Sequence, residues 1–156
     1  IDFGGKAEEH LSFITTHVIP FCESEYGFAS SAEKRVIGGY SLGGLFSLYA
    51  AVNTNLFGTA LSCSSSLWFP DFLDYLKEHP FKAAHPKLYM SVGDQEGTTA
   101  TNLTADQTLN TIALKDFYEP KFQPGDFKFT LEVGNHGNNI SGRAWRAIEW
   151  VEENCR

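Results

Sequence analysis

A strand, a tight turn and a helix follow one another within residues 35–46, and this stretch constrains the fold more than any other part of the chain. Val36 and Ile37 are apolar and β-branched, as a short buried strand requires. They lead into residues 39–43, Gly-Tyr-Ser-Leu-Gly, and apolar residues at helical spacing begin directly afterwards. The pattern G-x-S-x-G between a strand and a helix is typical of a nucleophile elbow. It predicts a layered α/β fold with Ser41 raised above the sheet.

The glycines two positions before and two positions after Ser41 are expected to be small for a steric reason. Strand and helix approach closely at such a turn, which predicts no room for a side chain at Gly39 or Gly43. The Ser41 hydroxyl then lies at a helix N-terminus, where free N–H groups stabilise a developing negative charge. The N–H of Leu42 is the predicted oxyanion donor. Phosphate-binding loops are excluded, because the stretch lacks both G-x-G-x-x-G and a P-loop lysine.

Strands alternate with helices along the rest of the chain. Further strands are predicted at 57–63, 87–92 and 127–133. Helices are predicted at 6–26, 71–77, around 109–117 and at 141–154. Pro20 is expected to kink or shorten the first of these helices. This alternation predicts an α/β fold with a mostly parallel sheet of about four strands, flanked by helices, in a single domain over residues 1–156.

Composition excludes several classes of function. The 156 residues are 42% hydrophobic and 20% charged, which is typical of a soluble globular domain. A net charge of −7 argues against a nucleic-acid partner or an anionic membrane surface. No apolar run reaches the length of a membrane span. The three cysteines have neither paired nor metal-ligand spacing, so we expect no metal and no cofactor. The cellular compartment stays open.

Two later strand ends carry the residue types that a serine nucleophile needs. Asp94 and Glu96 follow the third predicted strand, and His136 follows the last. The order serine, acid, histidine is typical of α/β-hydrolases. In such a triad the histidine takes the serine proton, and a carboxylate holds the imidazole in the correct tautomer. We therefore predict Ser41 and His136 as catalytic residues. The residues alone leave the choice between Glu96 and Asp94 open.

The loop after the second predicted strand is a candidate wall of the substrate pocket. Loops at the carboxyl ends of parallel strands line the active edge of an α/β sheet. The chain places serines at 64–66 and the aromatic residues Trp68 and Phe69 in this loop. We predict that Tyr40, Ser65 and Trp68 contact the substrate. The alternative is a polar loop whose aromatic side chains pack into the core.

Four blocks of the chain together resemble the putative esterase family of α/β-hydrolases. These are residues 38–44 (Gly-Gly-Tyr-Ser-Leu-Gly-Gly), 64–68 (Ser-Ser-Ser-Leu-Trp), 92–96 (Val-Gly-Asp-Gln-Glu) and 134–137 (Gly-Asn-His-Gly). The family includes siderophore, feruloyl and acetyl-xylan esterases and S-formylglutathione hydrolases. The resemblance implies hydrolysis of a small-molecule carboxylic ester through an acyl-enzyme. It also implies Glu96 as the triad acid, three residues after the strand-end glycine.

The resemblance implies in addition that strands precede the elbow in the family, so that this chain is N-terminally truncated. The preceding part would supply a second oxyanion donor, and loss of one such donor costs on the order of 10²–10³ in rate. We therefore expect weak or no activity from residues 1–156 alone, and possible self-association through an open sheet edge at Val36 and Ile37. Thioesterases and acyltransferases share this machinery. The alternative function is a non-catalytic α/β-hydrolase-like binding module or a fragment of a larger chain.

Overall fold

Four parallel strands form the central sheet in the computed structural model, which describes residues 5–28, 31–97 and 104–155. The strands are β1 (Val36–Tyr40), β2 (Thr59–Cys63), β3 (Lys87–Gly93) and β4 (Phe127–Glu132). They lie side by side in chain order, and each neighbouring pair is parallel. The predicted α/β class with about four parallel strands is confirmed. Because all strands point the same way, their carboxyl ends, and the loops that follow them, meet at one edge of the sheet.

Helices cover both faces of this sheet. They are α1 (Ala7–Phe13), α2 (Ile19–Tyr26), α3 (Leu42–Asn53), α4 (Phe72–Glu78), α5 (Gln107–Tyr118) and α6 (Ile140–Asn154), with short 3₁₀ turns at Ala32–Lys34 and Glu119–Lys121. None of the helices in the described ranges is long and apolar enough to cross a membrane. Residues 98–103, predicted to form part of a polar connection, lie outside the described residues.

The core has two parts, one on each face of the sheet. The larger cluster joins α1, α3, α4 and α5 to one face through residues such as Leu48 and Leu114. The smaller cluster packs α6 against the other face, with Trp150 over Tyr89. Side chains alternate along each strand, so Leu88 and Met90 enter the larger cluster and Tyr89 enters the smaller one. The inner strands β2 and β3 are thus buried on both sides, and the carboxyl edge of the sheet is left for a site.

The sequence predicted that Pro20 kinks or shortens the first helix, and the helical path is not shortened there. A π-helical turn, Ile14–Val18, joins α1 to α2, and the helical path continues to Tyr26. Proline has no N–H, and its ring collides with the carbonyl four residues earlier in a regular α-helix. The wider π turn directly before Pro20 makes room for that ring. The disturbance at Pro20 thus takes the form of a local change of helix type.

The buried faces of two helices differ from the predicted apolar stripes. In α5 the sequence indicated Leu109, Ile112, Ala113 and Phe117, whereas Gln107, Thr111, Leu114 and Tyr118 are buried and Leu109 is exposed. In α6 the sequence indicated Ala144, Ile148 and Val151, whereas Arg143, Ala147 and Trp150 are buried and Ile148 is exposed. Both differences share one cause. Each helix turns a polar side chain of its first turns, Gln107 or Arg143, towards the carboxyl edge of the sheet.

The strands β1 and β4 are the two edges of the sheet in the described part of the chain. Val36 in β1 is partly exposed, and a groove of about 640 Å³ runs along this strand beside α2. An open edge strand carries backbone groups that another strand can bind. Self-association through this edge stays a prediction.

Candidate active site

Ser41 forms a turn of one residue between β1 and α3. Its backbone has φ 60° and ψ −121°, a conformation that a residue with a side chain adopts only under strain. Three backbone hydrogen bonds hold it there: the Ser41 N–H donates to Cys63, and the Ser41 carbonyl accepts from Leu45 and Ser66, all at 3.0–3.2 Å. The neighbouring strand and the following helix therefore fix the serine from both sides, as an elbow requires.

The small residues of the turn are needed at positions 39 and 44. A Cβ at Gly39 would lie 2.3 Å from the carbonyl carbon of Gly43, and a Cβ at Gly44 would lie 2.3 Å from Ser65 Oγ. A Cβ at Gly43, by contrast, would meet no atom within 4 Å among the described residues. The expectation that Gly43 must itself be small is therefore wrong. Gly39 packs against the backbone of Gly43, and the position of a Gly43 side chain is open.

The histidine of the β4–α6 loop reaches the serine. Nε2 of His136 lies 3.0 Å from Oγ of Ser41, and the side chain of His136 is half-exposed. The Ser66 hydroxyl lies 3.2 Å from the same Oγ. When the Ser41 hydroxyl donates to the imidazole, Ser66 is left to donate to Ser41 Oγ. These two contacts orient the Ser41 side chain towards the histidine.

Glu96, not Asp94, is the acid that contacts the imidazole. Oε2 of Glu96 lies 2.7 Å from Nδ1 of His136, and Glu96 is 2% exposed. Gln107, at the start of α5, donates to the same oxygen at 2.8 Å. Asp94 lies on the surface and accepts a hydrogen bond from the Gly134 N–H at 2.8 Å. The alternative acid thus supports the histidine loop from outside and does not touch the ring.

The other carboxylate oxygen of Glu96 is equally well bound. Oε1 accepts hydrogen bonds from the Gly93 N–H at 2.6 Å, the Ser64 hydroxyl at 2.7 Å and the Arg143 guanidinium at 2.7 Å. Burial opposes the charged form, but the hydrogen bonds from His136, Gly93 and Ser64 outweigh it and lower the pKa of Glu96 from 4.5 to about 2. Glu96 is therefore a carboxylate at neutral pH.

Arg143 is a site residue that the sequence reasoning missed. Its side chain is 0% exposed, and Nη1 lies within 2.7–3.1 Å of Glu96 Oε1, Ser64 Oγ and the Tyr40 hydroxyl. Nη2 donates to the Asn135 carbonyl at 3.1 Å. The amphipathic pattern of α6 predicted that its apolar residues face the core and that its charged residues, Arg143 among them, face solvent. The only sequence signal was position: Arg143 lies in the first turn of the helix that directly follows the histidine loop.

The three predicted substrate contacts have different surroundings. The Tyr40 hydroxyl donates to the His136 carbonyl at 2.6 Å and accepts from Arg143, so Tyr40 braces the histidine loop. Ser65 is 1% exposed, and its hydroxyl bonds to Ser62 beneath the elbow, which does not fit the prediction that it borders a pocket. Trp68 is half-buried beside Phe69, and its contact with substrate stays a prediction.

A cleft of about 630 Å³ opens beside the turn. Leu42 and Gly43, directly after the serine, form part of its wall. The rest is mainly aromatic and comes from α3, α4 and the start of α1: Lys6, His10, Leu45, Phe46, Tyr49, Phe69, Phe72 and Tyr75. No group of three metal-ligating side chains occurs within residues 5–28, 31–97 and 104–155. Ser41, Glu96 and His136 do not line this mainly apolar cleft, which reaches the proposed site only through Leu42 and Gly43.

Comparison with known proteins shows the family to which this chain belongs. A family model described as "Putative esterase" matches residues 2–136. This chain belongs to that esterase family. It is 27% identical over 154 residues to an uncharacterized protein YbbA of Bacillus subtilis, and 32% identical over 100 residues to a siderophore enterobactin esterase of Emericella nidulans. The siderophore hydrolase EstA of Aspergillus nidulans has the same fold, with a TM-score of 0.73 at 23% identity.

The esterase-family chain is shorter than these relatives. The alignments cover 96% of it and 62% of YbbA, and 59% of it and 33% of the Emericella esterase. The structural match covers 96% of it and 57% of EstA. The chain therefore spans about three fifths or less of the length of each of these proteins.

Proposed function

We propose that this protein is a serine hydrolase that cleaves a carboxylic ester through an acyl-enzyme. The observation that carries the proposal is one continuous chain of hydrogen bonds. Ser41 Oγ lies 3.0 Å from His136 Nε2, and His136 Nδ1 lies 2.7 Å from Glu96 Oε2. The serine is held in a strained turn at the N-terminus of α3. Membership of the esterase family supports the same chemistry.

In the proposed acylation step, Ser41 Oγ attacks the ester carbonyl while its proton passes to Nε2 of His136. A serine hydroxyl is a weak nucleophile at neutral pH, so this transfer is needed. The tetrahedral intermediate then collapses, the C–O bond to the alcohol breaks, and the imidazolium gives its proton to the leaving oxygen. In deacylation, water loses a proton to the same nitrogen and attacks the acyl group, which releases the acid and restores Ser41.

The negative charge of the intermediate develops next to the start of α3. The N–H of Leu42 is one of the first N–H groups of that helix, which lack partners within the helix. We assign it as one oxyanion donor, favoured by the positive end of the helix dipole. The ionised Glu96 keeps the proton of His136 on Nδ1, so Nε2 is free to accept from Ser41. It also stabilises the imidazolium that forms.

The substrate proposal rests on the cleft and on two relatives. The cleft beside Leu42 and Gly43 is lined by five phenylalanine and tyrosine rings. One relative is named a siderophore enterobactin esterase and another a siderophore hydrolase. We therefore propose siderophore esters as the first natural substrates to test. Simple p-nitrophenyl esters serve as probes of the chemistry.

The test combines covalent labelling with turnover. A fluorophosphonate probe is expected to label Ser41, because it reacts with activated serines, and Ser41→Ala is expected to abolish labelling. Hydrolysis of p-nitrophenyl acetate is expected to fall at least about 10³-fold in Ser41→Ala. Ser47, buried in α3 with its hydroxyl bonded to Gly43, offers a matched control in Ser47→Ala.

Two outcomes would contradict the proposal. Labelling that persists in Ser41→Ala would place the reactive group elsewhere. A folded protein, in its full-length form, that neither reacts with the probe nor hydrolyses any ester would favour the non-catalytic binding module. Hydrolysis of thioesters at rates above those of oxygen esters would keep the mechanism and change the substrate class.

A further inference from the structure

Arg143 is a fully buried charge at the back of the proposed triad. It comes from α6, on the opposite face of the sheet from α3, and its guanidinium reaches the carboxyl edge between β1 and β3. Taking an arginine out of water costs several kcal/mol, and a buried ion pair seldom repays more than that cost. Its Nε is also buried and has no hydrogen-bond partner among the described residues. Fold stability therefore does not account for this side chain.

The guanidinium determines which oxygen of Glu96 faces the histidine. Nη1 holds Oε1 at 2.7 Å, together with the Gly93 N–H, and leaves Oε2 for Nδ1 of His136. A glutamate side chain has one more rotatable bond than an aspartate, so it needs a second anchor to keep one oxygen in place. Arg143 provides that anchor with a charge-assisted hydrogen bond.

The same guanidinium also holds the histidine loop. Nη2 donates to the carbonyl of Asn135, and Nη1 donates to the Tyr40 hydroxyl, which in turn donates to the carbonyl of His136. The guanidinium thus binds Glu96 and the carbonyl of Asn135 directly. It reaches the carbonyl of His136 through the Tyr40 hydroxyl. Glu96 and the histidine loop therefore share Arg143 as a hydrogen-bond partner.

We propose that Arg143 is the positioning residue of the Glu96–His136 pair. It fixes the carboxylate and the histidine loop in one geometry, and its charge balances that of Glu96 before the imidazolium forms. The proposal builds on the proposed function, because it assigns Arg143 a part in the same reaction. Arg143 makes no hydrogen bond to Ser41 among the contacts of the described residues, and it takes no proton in the proposed reaction. Its effect is transmitted only through Glu96 and the histidine loop.

A lysine at position 143 cannot make the same set of hydrogen bonds. An ammonium group is a single point of donation, whereas the guanidinium presents a planar fork of N–H groups. Arg143→Lys keeps the charge and one contact, so it separates the role of charge from the role of geometry. Arg143→Met removes both and keeps the length of the side chain. Arg146, one turn further along α6, pairs with Glu132 away from the site, and Arg146→Met is the matched control.

The experiment measures kcat and KM across pH for the four proteins, with folding verified by circular dichroism. Arg143→Met is expected to lower kcat about 10²-fold with KM unchanged, as expected for misplaced catalytic groups. Arg143→Lys is expected to fall between Arg143→Met and the parent, and Arg146→Met to match the parent.

The pH profile separates positioning from simple destabilisation. The ionisable side chains that face the imidazole are Tyr40 from β1 and Glu96 from the loop after β3, with Arg143 behind them from α6; Gln107 from α5 is neutral. Loss of the Arg143 cation changes the charge behind the Glu96–His136 pair, so the pH dependence of kcat/KM is expected to change in Arg143→Met. In Arg143→Lys, which keeps the charge, the pH dependence is expected to match that of the parent. A purely structural role would lower the rate equally at every pH.

A second measurement does not depend on turnover. The proton between His136 Nδ1 and Glu96 can be followed by NMR as a low-field signal. We expect it in the parent and in Arg146→Met, and we expect its loss in Arg143→Met. A folded Arg143→Met that keeps both the signal and the parent kcat would overturn the positioning role. If the signal behaves as expected but no variant hydrolyses esters or reacts with the fluorophosphonate probe, the proposed function fails and the positioning role stands.

Discussion

The two halves of the proposed active site are held by different means. Ser41 is placed by the backbone: a positive φ, three main-chain hydrogen bonds and the absence of side chains at Gly39 and Gly44. Glu96 and His136 are placed by side chains, through a buried network that brings together β1, β3, α5 and α6. The first half is local in sequence, and the second joins residues up to 103 positions apart.

This difference determines how each half responds to change. A backbone turn fails when a single added atom has no room, and no neighbouring side chain can compensate. In the hydrogen-bonded network Glu96 has five partners, so the loss of one of them leaves four in place. Substitutions in the turn should therefore affect stability and activity together, whereas those in the network should affect activity more than stability.

The largest effect is expected at Gly39. Gly39→Ala places a Cβ 2.3 Å from the Gly43 backbone, so β1 and α3 must separate. We expect overpacking to cost about 1–3 kcal/mol or more of stability, together with the loss of detectable serine labelling. Gly43→Ala meets open space and is expected to keep the thermal midpoint of the parent. Equal midpoints for the two alanine variants would show that the turn is not limited by this contact.

A smaller but more selective effect is expected at Glu96. Glu96→Gln keeps the size of the side chain but removes the charge, so His136 no longer has a carboxylate to fix its tautomer. We expect kcat to fall on the order of 10²–10⁴-fold, by analogy with loss of the acid in other triads. Asp94→Asn, two residues away and on the surface, is expected to change kcat less than about tenfold. Similar losses in both variants would return Asp94 to consideration as the acid.

The effect confined to the narrowest range of conditions is expected in the pH dependence of stability. The pKa of Glu96 is lowered from 4.5 to about 2 in the folded protein, so its ionised form contributes stability above pH about 4.5. That contribution is lost as the pH falls from about 4.5 towards 2. The difference in unfolding free energy between the parent and Glu96→Gln, measured in urea, should therefore shrink over this interval. A difference that is constant from neutral pH down to the acid transition would contradict this account.

The part of the site that could be predicted from the sequence is the part that depends on local pattern. The elbow at Ser41, the order serine–acid–histidine and the strand ends that carry them all follow from short stretches, and the structure brings these residues together. Arg143 and Gln107 could not be found in this way. Each is a polar residue that lies outside the apolar stripe of its helix, so the pattern predicts that it faces solvent. Packing against loops that are distant in sequence buries both side chains.

Ser41 occupies a position where the fold itself would be more stable with another residue. Its φ of 60° and ψ of −121° belong to a region open to glycine and costly for serine by about 1–3 kcal/mol. A change to glycine would release that strain and remove the proposed nucleophile in the same step. Stability and the proposed chemistry therefore make opposite demands on this residue. The backbone conformation that presents the serine hydroxyl is one that the fold alone would not favour.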